Sequence, residues 1–111
     1  MVNIFELKKG DTSPALAVTL NYSNGSAIDL TGATSILFNM GNLVDYSAYT
    51  SGNAVILGST LGTCEYRWTG SVDTGSVGTY WGEFEVNWPG GSKLTMPTDH
   101  SLQIKIAEDY N

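Results

Sequence analysis

The sequence predicts an all-β domain, an antiparallel β-sandwich of about seven or eight short strands. Three observations lead there. Apolar residues recur at every second position through several segments, which places them on one face of a pleated ribbon. Turn-forming residues separate these segments at roughly 8 to 15 residue intervals. No stretch of useful length carries apolar residues at the helical period.

Taken along the chain, residues 3–7 are a first short strand candidate. Over 15–22, Leu16, Val18, Leu20 and Tyr22 share one face, with Ala15, Ala17, Thr19 and Asn21 on the other. Residues 34–40 direct Ile36, Phe38 and Met40 inward, and 54–58 is a second short candidate. Over 62–69, Cys64, Tyr66 and Trp68 oppose Thr63, Glu65 and Arg67. Over 79–87, Tyr80, Gly82, Phe84 and Val86 oppose Thr79, Trp81, Glu83, Glu85 and Asn87. Residues 92–96 form a third short candidate, and Leu102, Ile104 and Ile106 close the set against Gln103, Lys105 and Ala107. Asn24-Gly25, Ser51-Gly52-Asn53 and Pro89-Gly90-Gly91 supply residues that tolerate positive φ and so read as turns. Phe84 and Trp68 are expected in the core.

The run Gly78-Thr79-Tyr80-Trp81-Gly82 makes the expected sandwich immunoglobulin-like. A tyrosine opening a late strand, with glycine two positions earlier, suits the corner in which a Tyr hydroxyl bonds back to the preceding loop. The pattern is partial. Ser76 stands where an acidic residue is usual, and Gly82 stands where the second cysteine of an antibody domain would be.

With 111 residues the chain has room for one domain, spanning 1–111, and a hydrophobic content of 41% suffices for its core. Thirteen glycines and a charged fraction of only 14% suit a turn-rich β protein. Eleven acidic against five basic side chains give a net charge of -6, and only Lys8 and Lys9 are adjacent, so no basic stripe exists to neutralise phosphates. Nucleic acid and anionic membranes are therefore not expected partners. No run approaches the length of a membrane span, and Met1-Val2-Asn3-Ile4-Phe5-Glu6 lacks the basic start and apolar run of a secretory signal, which leads to an expectation of synthesis in the cytoplasm.

The single cysteine, Cys64, excludes an internal disulfide and reads as a small buried apolar side chain. The alternative, a Cys64–His100 nucleophile, would need the only histidine to reach it from a distant loop. Glu83 and Glu85 share one strand face and could form a carboxylate pair for acid–base work or for calcium, against the simpler reading that they solvate that face. No hydrolase, phosphate-cradling or metal-ligand motif occurs, so the chain is expected to act without catalysis, cofactor or metal. Tyr46, Tyr49, Trp81 and Trp88 fall at outward or loop positions, where rings stack on sugars or bury against a neighbouring subunit.

Ordered signs along nearly the whole chain complete the reading. They are Lys9-Gly10-Asp11-Thr12, Asn24-Gly25, Ile28-Asp29-Leu30-Thr31-Gly32-Ala33, then Ile36, Phe38 and Met40. Gly62, Glu65-Tyr66-Arg67-Trp68, Gly78-Thr79-Tyr80, Glu83-Phe84-Glu85-Val86 and Thr95-Met96-Pro97 follow. In this set and order the chain resembles the immunoglobulin-like N-terminal domain of the phage baseplate upper protein family. The resemblance implies a structural virion protein of tail or baseplate that anchors other virion subunits, often within a ring or trimer. Members of that family commonly continue into a further domain, stalk or fibre. For a domain of this size the expectation widens to a capsid decoration protein. A glycan-binding adhesion module with weak host-surface contact, and a hydrolase using Glu83 and Glu85, are the competing readings.

Overall fold

The computed structural model describes residues 3–97 and 101–108. Their regular structure consists of strands and two single-turn 3₁₀ segments. The strands are β1 (Asn3–Lys8), β2 (Leu16–Thr19), β3 (Ser35–Asn42), β4 (Ala48–Asn53), β5 (Val55–Gly58), β6 (Thr63–Tyr66), β7 (Gly78–Asn87), β8 (Lys93–Met96) and β9 (Leu102–Ala107). The alternating segments become β2, β3, β6, β7 and β9, and the short candidates become β1, β5 and β8.

Two sheets pack face to face. One has the order β1-β9-β7-β3-β4, and β8 joins it on β7; the other is β2-β6-β5. The ten-residue β7 organises the larger sheet. One of its edges pairs with β3 from Tyr80 to Asn87, bringing Phe38 opposite Phe84 and Met40 opposite Gly82. The other edge is shared, with Gly78–Trp81 on β9 and Phe84–Asn87 on β8. With β2, β6 and β5 facing β9, β7, β3 and an added β4, the order follows that of immunoglobulin sandwiches. The tyrosine corner is formed: the Tyr80 hydroxyl donates to the Ser76 carbonyl at 2.8 Å.

Inward alternation sets the core. Ile36, Phe38, Met40, Cys64, Phe84, Val86, Ile104 and Ile106 are all 2% exposed or less. Phe38 lies at its centre, 4.6 Å from the Tyr66 ring, 5.0 Å from Phe84 and 5.8 Å edge-on from Trp68. A Cβ at Gly82 would lie 2.6 Å from Ile104 Cδ1 and 3.0 Å from Phe38 Cε1, so these two side chains fill the space where the second cysteine was sought. A cluster of rings occupies the place of a disulfide and its packed tryptophan.

Several details depart from the sequence reading. The larger sheet is mixed, because β1 runs parallel to β9. The described residues form nine strands, because Ser51-Gly52-Asn53 belongs to β4 rather than to a turn. This segment is polar and shows no alternation; what extends it is pairing, Asn53 with Leu37 and Ser51 with Asn39. Gly52 fits there because a Cβ would sit 2.9 Å from the Tyr66 ring. Tyr22, expected inward, is 49% exposed: β2 ends at Thr19, and the chain turns over Gly25 at φ 89°.

Candidate docking surface

The four rings singled out from the sequence do not form one platform, although Tyr49 and Trp81 border the same shallow hollow as Glu83. Trp81 lies on the outer face of the larger sheet, as its parity on β7 requires, yet it is only 9% exposed. The reason lies across the strand pair: Gly41 is its partner, and a Cβ there would come 2.1 Å from Trp81 Cζ2, so the indole rests on bare backbone. Little of its ring remains for stacking on a sugar. Tyr49 is turned inward by the β-bulge where β4 slips against Met40 and Gly41. Its ring stacks on Tyr80 at 4.6 Å, and its hydroxyl donates to the Val72 carbonyl. Trp88 continues the inward parity of Val86 and packs on the core, roughly 20 Å further along the strand direction than Trp81. Tyr46, 57% exposed at φ 60° in the β3–β4 turn, is the ring among the four that solvent reaches most freely.

Glu83 and Glu85 do lie on one face of β7, but their surroundings differ. Glu85 sits 3.8 Å from Lys93 Nζ and accepts from Asn87 Nδ2 at 3.2 Å. Glu83 is opposite Asn39 on β3. This arrangement commits Glu85 to a neighbour two residues on along β7 and to Lys93 across the strand pair. Cys64 is fully buried, and burial pushes its thiol up to about 11, so it stays protonated and unreactive at neutral pH. His100 lies outside the described residues. Among those described, no group of three His, Cys, Asp or Glu side chains is placed to hold a metal ion.

The polar cluster that stands out was not singled out in the sequence. Asp73, 2% exposed, accepts from the Tyr66 hydroxyl at 2.6 Å, from the Thr69 N–H at 2.8 Å and from the Thr69 hydroxyl at 2.9 Å. Burial pushes its carboxyl up, but these donors and the Thr74 N–H outweigh that and hold it below the usual carboxylate value. Next to it, the Thr74 hydroxyl donates to the Asp11 carbonyl, and the Gly10 N–H donates to the Thr74 carbonyl. The cluster ties the β6–β7 loop to β6 and to the β1–β2 loop. Its only sequence signal is an Asp-Thr pair between Gly70 and Gly75, which reads as ordinary turn chemistry.

Two features point to docking. Val55 and Leu57 on the outer face of β5, with Leu61 on the turn that follows, are 37%, 52% and 64% exposed. Between β1 and β2, where the two sheets part, lies an open groove of about 470 Å³. Phe5, Leu16, Val18, Phe84, Met96 and Leu102 are among its lining residues, and among the described residues no charged side chain joins them. No family model, curated protein or solved structure matches the chain.

Proposed function

We propose that the chain is a non-catalytic assembly module, a structural component of a bacteriophage particle that docks other virion subunits in the tail or baseplate. The observation that carries the docking reading is the apolar strip of Val55, Leu57 and Leu61 on the margin of the smaller sheet. Large apolar side chains grouped at a strand edge are the composition of an interface core, and each contributes about 2 kcal/mol when fully covered by a partner. Support for the virion setting comes from the ordered motifs that resemble the baseplate upper protein family. Capsid decoration uses the same surface logic and is the second placement. Glycan binding has less to stand on, since Trp81 is nearly covered, Tyr49 and Trp88 pack against the core, and Tyr46 alone of the four is widely exposed.

The test is immunogold labelling of purified phage grown from the genome that encodes the chain. Label at the tail tip supports the baseplate placement, and label over the head moves the protein to capsid decoration. Intact particles that carry no label and yield no peptide of this chain in mass spectra refute the virion reading.

A further inference from the structure

We infer that the groove between β1 and β2 is a strand-acceptor site, which takes an extended, uncharged peptide segment of another polypeptide as an added strand on the free edge of β2. This deepens the assembly reading and rests on it for the source of the partner, although the groove can be tested on the isolated protein.

The case begins with the backbone. Among the described residues β2 pairs with β6 alone. The Leu20 N–H donates to the Gly62 carbonyl at 2.8 Å, in continuation of the ladder that sets Leu16 opposite Tyr66 and Val18 opposite Cys64. Alternation of the antiparallel ladder then turns the N–H and C=O groups of Ala17 and Thr19 away from β6, toward the groove. The edge is open because β1, which could have paired there, lies instead on β9 in the opposite sheet. A row of outward donors and acceptors at strand spacing is satisfied best by another strand.

Other sheet margins carry devices that discourage such pairing. β1 has Glu6 and Lys8, β4 and β5 each carry a register irregularity, and β8 starts at Lys93 and is followed by Pro97. β2 and its continuation, Leu16-Ala17-Val18-Thr19-Leu20, have no charge, proline or bulge. The chemistry of the occupant follows from the groove itself. Among the described residues its lining is mainly apolar, with Asn3, Thr19, Asn21 and Ser101 as uncharged polar members and no ionisable side chain. A charged insert would lose water there and meet no counter-charge among the described lining residues, whereas alternate Val, Ile or Leu side chains would bury against Phe5, Val18 and Met96. Strand addition supplies both halves of recognition: main-chain bonds to Ala17 and Thr19, and side chains at every second position entering the groove.

The experiment is selection from a library of random twelve-residue peptides on the full chain, followed by amide exchange with the best synthetic peptide. Enriched peptides are expected to alternate apolar residues through an uncharged centre. Binding is expected to slow exchange at Ala17 and Thr19 at least tenfold. Ala17→Pro removes an outward donor while leaving the bonds to β6, and Thr19→Lys puts a charge on the edge; each is expected to weaken binding at least tenfold with an unchanged melting temperature. If one variant fails to fold, the other carries the test. No enrichment, or bound peptides that leave Ala17 and Thr19 exchange unchanged, overturns the inference. The same protection arising without peptide, in a concentration-dependent dimer, assigns the edge to a second copy and also overturns it. Peptide binding by a protein absent from particles removes the virion reading alone, and a protein present in particles that binds no peptide removes the groove alone.

Discussion

Replacing Asp73 by alanine removes the acceptor on which the β6–β7 loop closes, and the structure sets the size of the loss. Besides the Thr74 N–H, three donors within 3 Å end on this carboxylate: the Tyr66 hydroxyl, the Thr69 N–H and the Thr69 hydroxyl. Bonds to a charged group contribute about 1.5–3 kcal/mol each, and a buried donor left without a partner costs about 1–3 kcal/mol. Thr69 is exposed, so its two donors regain water; Tyr66, 4% exposed, does not. The expected loss is therefore about 3 kcal/mol, a substantial part of the roughly 5–15 kcal/mol that stabilises a domain. Urea unfolding should show it as a lower midpoint at constant slope. A double-mutant cycle with Tyr66→Phe should return a coupling of about 1.5–3 kcal/mol. A loss below about 0.5 kcal/mol, or strictly additive single effects, would refute the reading of the cluster as a clasp.

Other perturbations probe the core, the outer face and the acid limb. The folded Asp73 carboxyl titrates below its unfolded value, so its stabilisation is fully present above about pH 4 and is lost as pH falls through the folded pKa. Acid titration of unfolding should therefore show a fall that is shallower in Asp73→Asn; equal slopes would contradict it. Phe84→Ala opens space beside Phe38 and should cost about 3–5 kcal/mol in chemical denaturation, and less than about 1 kcal/mol would mean that the facing of β7 is wrong. Gly82→Ala forces a methyl against Ile104 and Phe38 and should cost about 1–3 kcal/mol, where a neutral result would show the core to be looser than described. Gly41→Ala pushes the Trp81 indole off its seat, which should raise quenching of tryptophan fluorescence by acrylamide; unchanged quenching would mean that Trp81 does not rest on this backbone.

Much of this was legible in the sequence because a half-buried strand writes its facing into every second residue. Ile36, Phe38 and Met40, then Cys64, Tyr66 and Trp68, alternate in the chain and are all buried. Tyr80 was legible as a corner because glycine two positions earlier and the late strand start are local features. β4 was not legible: its polar residues are extended by pairing with β3 rather than by an apolar face of their own. The burial of Trp81 depends on Gly41, a neighbour known only once the β3–β7 register is set. Asp73 gave no signal, since a carboxylate that accepts from Tyr66 and Thr69 looks in sequence like any loop acid. The groove was hidden for a similar reason, because it exists only through the parallel placement of β1 on β9. Core positions follow from local periodicity, whereas clasps, seats and grooves follow from strand order.

The most direct test of the assembly account is cross-linking mass spectrometry on purified phage particles, using the four lysines Lys8, Lys9, Lys93 and Lys105 as reporters. The account predicts links from these lysines to other virion proteins or to neighbouring copies of the chain. Particles in which the chain is missing, or is present with links only within itself, would contradict it.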